Sequence, residues 1–137
     1  MTEQSAATMK RTSDASIALL RQALDAFNRG DAQAAAEFLA DDVEWYEIGR
    51  AEPIMGKEAL AARYASAMPG WNITGDLHDI VANDDHAIAL VTATANMGGR
   101  SLTYRVAEIY HIRDGKIAAR WAFSDDTAAI NAFFAGT

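Results

Sequence analysis

The stretch from Trp71 to Ser124 constrains this chain most. It holds four strand-like runs, Trp71 to Ala82, His86 to Met97, Arg100 to Ile112 and Ile117 to Ser124, separated by three tight turn signals. The turns are Asn83-Asp84-Asp85, Gly98-Gly99 and Arg113-Asp114-Gly115-Lys116. Consecutive hairpins of this kind make an antiparallel meander. Strands this long twist and coil, so one face of the sheet becomes concave and must be covered.

The cover lies upstream. Ser13-Asp14 offers a helix cap, and Ile17, Leu20, Leu24 and Phe27 recur at helical spacing behind it. Asn28-Arg29-Gly30-Asp31 stops this helix and caps a short second one running through Ala35, Phe38 and Leu39 to Asp41-Asp42. Val43 to Ile48 reads as a first strand, and Gly49 to Gly56 as a loop. Lys57 to Met68 is a third helix, closed by Pro69-Gly70. Asp125-Asp126-Thr127 caps a terminal helix ending near Phe134. Helices segregated from hairpins imply an α+β fold, a curved antiparallel sheet wrapped around three to four helices with an internal pocket. Residues 1–13 read as a loose polar tail and residues 14–137 as a single domain.

Composition narrows the partners. With 137 residues, half of them hydrophobic, the chain can build one sizeable core. A net charge of -7 argues against nucleic acid and anionic membrane as partners. The absence of cysteine excludes disulfides, thiolate metal sites and cysteine nucleophiles. The N-terminus lacks an apolar signal core and no stretch reaches membrane-spanning length, so a cytoplasmic protein is expected. His78, His86 and His111 are scattered without metal-ligand spacing, so no metal is expected.

Strand alternation assigns faces. Tyr104, Val106, Glu108, Tyr110 and Ile112 share one side, which sets Glu108 in the middle of the more apolar face. Val43, Trp45 and Glu47 share a side of the first strand. Ile117, Ala119, Trp121, Phe123 and Asp125 share a side of the last. Each of three strands thus puts a carboxylate on a face that should be buried. Such a group must be paired, hydrated or protonated, and desolvation suits it to acid–base work. A structural role, with each acid paired to one of Arg63, Arg100, Arg105 and Arg120, stands beside that reading.

The segments "AFNRGDAQAAAEFLADDVEWYE", "EPIMGKEALAARYASAM" and "YRVAEIYHIRDGKIAARWAF" resemble the nuclear transport factor 2-like superfamily, in its SnoaL-like and ketosteroid-isomerase-like branch. The resemblance covers about Ile17 to Phe123. It implies a homodimer formed through the sheet and cofactor-independent chemistry on a small apolar, carbonyl-bearing molecule, of isomerase, cyclase or dehydratase type. Non-catalytic binding or dimerisation modules share the fold. Matched to the isomerase pattern, Glu47 falls at the general base, nine residues before Gly56, and Glu108 at the oxyanion-hole acid, eight residues after Arg100. Tyr64 matches a supporting tyrosine. The principal oxyanion tyrosine falls at Ala23, which removes the strongest donor to an enolate. Tyr104 or Tyr110 is a candidate substitute, and Trp45, Trp71 and Trp121 are candidates to refill the pocket. The cyclase pattern instead places an acid–base residue at Asp125 or Asp126, where helix capping competes, most strongly for Asp126.

Two functions follow. In one, Glu47 abstracts a proton while neutral Glu108, or Tyr64, stabilises the oxyanion. In the other, the acids are structural and the domain only binds. Salt bridges on both glutamates would favour the second.

Overall fold

The computed structural model describes residues 13–67, 70 and 72–135. The expected tail, residues 1–12, lies outside the described residues, as do Met68, Pro69 and Trp71. Ser13, assigned above to the tail, is buried, and its N–H donates to Ala82 O at 3.1 Å.

Ser13 caps helix α1, Asp14–Asn28, its hydroxyl accepting from the Ser16 N–H at 3.1 Å. Leu20 on this helix is fully buried, with Ile17 and Leu24 packed beside the same cluster. The far end is clamped to the sheet: Asn28 donates to Gly75 O at 2.9 Å and accepts from Gly75 N–H at 3.0 Å. Asp31 caps helix α2, Ala32–Ala36, which is shorter than its spacing predicts. Phe38 and Leu39 leave the helix because the sheet recruits them. Phe38 O accepts from Ile117 N–H, and Leu39 pairs with Ile117.

Strand β1 therefore runs Leu39–Trp45, ending before Glu47. A short strand β2, Ile54–Met55, lies inside the predicted loop and pairs antiparallel with β1. Helix α3 spans Lys57–Ala67. The meander follows as β3, Asn72–Ala82; β4, His86–Met97; β5, Arg100–Arg113; and β6, Lys116–Ser124. Helix α4, Thr127–Phe134, is capped by Asp126, which accepts from Ala129 N–H.

The six strands form one open, curved sheet in the order β2-β1-β6-β5-β4-β3. The meander is antiparallel as expected, but β1 joins β6 in parallel, so the sheet is mixed. A parallel neighbour needs a long crossover, and the whole segment between β1 and β6 supplies it.

The concave face carries the core. Along β4, Ala87, Ala89, Val91, Ala93 and Ala95 alternate inward and are all buried. On β5 the predicted face holds, with Val106, Tyr110 and Ile112 buried. On β6 it does not. A bulge shifts the register between His111↔Ala119 and Ile112↔Ile117, leaving Ala118 as the extra residue. One extra residue inverts the alternation beyond it. Arg120 and Ala122 therefore turn inward, opposite Tyr110 and Glu108, while Trp121, Phe123 and Asp125 turn to the convex side.

Helix α4 closes against the start of β5 and the loop after β1. Arg100 donates to Phe133 O at 3.2 Å and lies 4.8 Å from the Phe133 ring centroid. Gly49, at φ +77°, passes so near that an added Cβ would sit 2.7 Å from Asn131 Nδ2.

Candidate functional site

The inward side chains of β1, β5, β6 and α3 meet in one polar cluster inside the apolar core. Its centre is Glu108, whose registered neighbours are Ala89 on β4 and Ala122 on β6. Small side chains on both flanks leave the carboxylate room to extend from the sheet. Glu108 and Arg120 pair at 3.1 Å, each side chain only 12% exposed. Arg120 also donates through Nε at 3.3 Å, and Tyr110 donates its hydroxyl at 2.5 Å. All three bonds fall on Oε2. Oε1 receives no hydrogen bond among the described residues.

Arg120 is held on its other sides too. It donates to Tyr46 O at 3.0 Å, and its guanidinium lies 4.7 Å from the Trp45 ring centroid. Burial works against its charge, but Glu108, and beyond it Tyr110 and Tyr64, hold the guanidinium above its ordinary pKa. Burial pushes the Tyr110 phenol well above its usual range, and neighbouring Glu108 adds to the rise. Tyr110 is thus a hydrogen-bond donor across the physiological range.

Tyr64 projects from α3 toward the same cluster. Burial raises its phenol, with Arg120 opposing and Glu47 and Glu108 reinforcing the shift. Burial likewise raises Tyr104, which also feels Arg120, Glu108 and Tyr64. Phe27 meets Tyr64 edge-on at 6.4 Å. Trp45 completes the group, and its indole nitrogen is buried without a partner.

Glu47 sits at the margin, in the loop following β1. Arg63 of α3 reaches both its oxygens at 3.3 Å. Both glutamates are therefore paired with arginines. This arrangement differs from a free general base at Glu47 opposite a neutral acid at Glu108.

The remaining predicted residues fall elsewhere. Asp125 is exposed on the convex side, and Arg105, the nearest cause, holds its carboxyl below the usual range by donating at 2.8 Å. Trp121 stacks on Tyr46 with centroids 5.7 Å apart, also outside the cluster. The β6 bulge separates both from Glu108. Asp126 caps α4, as its position allowed. The pairing of the acids with Arg63, Arg105 and Arg120 follows the structural reading of the sequence, but alternation counted without the bulge puts Arg120 outside rather than at the centre of the cluster.

The outer surface carries two open grooves, one on the convex sheet face and one where β5 meets α4. One, of about 380 Å³, is lined in part by Leu90, Thr92, Arg105, Phe123 and Asp125. The other, of about 440 Å³, includes Tyr104, Arg105, Asp126 and Ile130. His86 and His111 stack at 4.6 Å on the same side. Among the described residues, no group of three or more His, Asp or Glu side chains is placed to hold a metal ion. Among the described residues, no helix is long and apolar enough to cross a membrane.

Comparison with known proteins agrees with this architecture. An uncharacterised protein of Mycobacterium tuberculosis is 30% identical over 137 residues, covering 90% of this chain and 99% of its own. An NTF2-like protein of unknown function from Burkholderia pseudomallei superposes with a TM-score of 0.77 at 18% identity, covering 86% of this chain and 95% of that one. An LEH-like epoxide hydrolase of M. tuberculosis gives 0.74 at 17% identity, covering 90% and 97%. A polyketide cyclase-like protein of Xanthomonas campestris gives 0.73 at 22%, covering 88% and 95%. These likenesses establish the NTF2-like fold. The SnoaL-like domain model matches residues 20–120, most of the chain, and with the mixed, curved sheet and its helical cover this makes the chain a member of the SnoaL-like domain family.

Proposed function

We propose that this protein binds a small, largely apolar, carbonyl-bearing molecule in the concave interior and moves a proton on it with Glu108. The observation that carries this is the one-sided anchoring of Glu108, with Tyr110 and Arg120 on Oε2 and none of their bonds on Oε1. An anchored carboxylate with one free oxygen has the form of a general base held in place. In the minimal step, Oε1 takes a proton from the carbon beside the carbonyl. The C–H electron pair becomes the enolate double bond, and the charge moves to the carbonyl oxygen. Return of the proton to the same or another carbon gives exchange or isomerisation. Isomerase, cyclase and dehydratase chemistry all contain this step, and NTF2-like neighbours include cyclase-like and epoxide hydrolase-like proteins.

The test is proton exchange. A panel of cyclic ketones is incubated with the protein in D2O, and loss of the α-proton signal is followed by NMR. Exchange that disappears in Glu108→Gln and persists in Glu47→Gln supports the assignment. Exchange that survives Glu108→Gln removes it.

A second reading has its own support. Salt bridges on both glutamates, Glu47 with Arg63 and Glu108 with Arg120, favour structural acids, and a domain that binds without turnover would bind ketones with no exchange in any variant. In either case we propose that two copies pair through the convex face, where Leu90 and Phe123 are exposed between Arg105 and His111.

A further inference from the structure

We infer that His86 and His111 together form a surface site for one late transition-metal ion, of the Zn²⁺, Ni²⁺ or Cu²⁺ kind, held by the two imidazoles and otherwise by water. The site lies on the convex face, away from Glu108, and does not rest on the function proposed above. It is complete within one chain.

The two residues stand directly opposite each other on β4 and β5. Their backbones show which kind of pair they make. His86 O turns toward the β3 side, where it accepts from Asn83 N–H at 2.9 Å. On β5 it is the next residue, Ile112, that turns its N–H toward β4, donating to Asp85 O at 2.7 Å. His111 therefore presents its own backbone groups to β6. His86 and His111 form a non-hydrogen-bonded pair, the kind in which opposed Cβ atoms come closest, about 4.5–5.5 Å apart. Their side chains leave the sheet side by side, and the ring centroids lie 4.6 Å apart.

Both positions are held by local structure. Asn83 Oδ1 accepts from the Asp85 and His86 N–H groups at 2.9 and 2.8 Å, which fixes the start of β4. The register shift between β5 and β6 falls immediately beside His111. A bulge at such a place re-aims the neighbouring side chains.

The fold makes no other use of these rings. Both residues are exposed, and neither imidazole forms a hydrogen bond or ion pair with any described residue. His78, by contrast, commits Nε2 to the Thr92 hydroxyl at 2.6 Å. A neutral imidazole keeps one bare ring nitrogen, the form that binds a metal. With bonds of about 2.0–2.1 Å, two nitrogens on one tetrahedral ion stand about 3.3 Å apart. Rings whose centres are 4.6 Å apart bring their edge nitrogens to that separation by small turns of exposed side chains.

Charge favours a cation here. The chain carries a net -7, and Asp84 and Asp85 lie in the turn next to His86. Arg113, two residues beyond His111, is neutralised by Asp42 at 2.6 Å. Imidazole nitrogen selects Zn²⁺, Ni²⁺ and Cu²⁺ over Mg²⁺ and Ca²⁺, which prefer oxygen ligands. Spacing along the chain conceals the site, because only strand register joins residues 86 and 111. A bound ion would bridge β4 and β5 and stabilise the folded chain by mass action, since the unfolded chain does not hold the two rings together.

The experiment takes the untagged full chain, strips it with a chelator, and titrates it with ZnCl₂ and separately with MgCl₂ by calorimetry. One Zn²⁺ per chain and no Mg²⁺ are expected, with a melting temperature that rises with added Zn²⁺. His86→Ala and His111→Ala should each weaken Zn²⁺ about a hundredfold, the low end of the gain from joining two weak contacts on one scaffold. Both changes remove exposed side chains, so the metal-free melting curves should match that of the parent. His78→Ala, on the same face, should bind Zn²⁺ as the parent does. Zn²⁺ binding that survives either pair variant, that falls as far in His78→Ala, or that is absent at millimolar concentration overturns the site.

Discussion

Arg120 and Glu108, from adjacent antiparallel strands, meet through two guanidinium nitrogens on one carboxylate oxygen, at 3.1 and 3.3 Å. The pair is nearly sealed from water, and Tyr110 shares the same oxygen. A buried pair of this kind contributes little net stability against an apolar replacement, but removing one partner leaves an uncompensated charge.

Arg120→Met should therefore cost about 3–5 kcal/mol. Arg120→Met combined with Glu108→Leu should recover much of that loss. Urea denaturation of the two variants and the parent provides the comparison; a double variant no more stable than Arg120→Met would contradict the pairing.

Alkali should unfold the protein through its tyrosines. Tyr64, Tyr104 and Tyr110 all have phenols raised above the usual 10.0 by burial. The unfolded chain loses these protons first, so it binds fewer protons than the folded one as pH passes 10. Stability is then full below that pH and falls above it, by up to about 1.4 kcal/mol per pH unit for each shifted group. Tyr110→Phe should flatten this fall between pH 10 and 11, as read from urea midpoints across the range.

The two adjacent aspartates before α4 should separate cleanly. Asp126→Ala loses the cap on Ala129 N–H and should cost about 1 kcal/mol. Asp125→Ala loses only an exposed ion pair with Arg105 and should change stability by less than about 0.5 kcal/mol. Thermal melts distinguish them, and equal losses would contradict the capping assignment.

Gly49→Ala should loosen the α4 closure. The residue holds φ +77°, and its new Cβ would press on Asn131 and Thr127. A destabilisation of about 1–2 kcal/mol is expected. Amide exchange should speed up first along α4, and unchanged protection there would argue against the contact.

Phe123→Glu should split the proposed dimer without unfolding the chain. Phe123 is 58% exposed in the single chain, so the change disturbs no core. Sedimentation should show a dimer for the parent and a monomer for the variant, with matching melting curves. A parent that sediments as a monomer at micromolar concentration would remove the dimer.

Much of this architecture is legible residue by residue. The turns at Asn83, Gly98 and Asp114-Gly115, the caps at Ser13, Asp31 and Asp126, and the inward face of β5 all follow from local chemistry. Turn and cap preferences act over three or four residues, and alternation needs only an unbroken strand. Glu108 is found for the same reason: it is flanked by apolar residues two positions away on an uninterrupted strand.

Local chemistry therefore sets the α+β class, the meander, the helices' starting points and the burial of Glu108. The groups that surround it are chosen by long-range pairing. The parallel docking of β1 on β6 draws Leu39 out of the second helix and leaves Glu47 in a loop against Arg63. The bulge at Ala118 turns Arg120 inward and sends Trp121 and Asp125 outward. Both choices depend on pairing between residues more than 70 positions apart, or on one unpaired residue in a ladder, and neither leaves a mark in local periodicity. The curved sheet is a property of its strands, whereas the chemistry of its interior depends on their register.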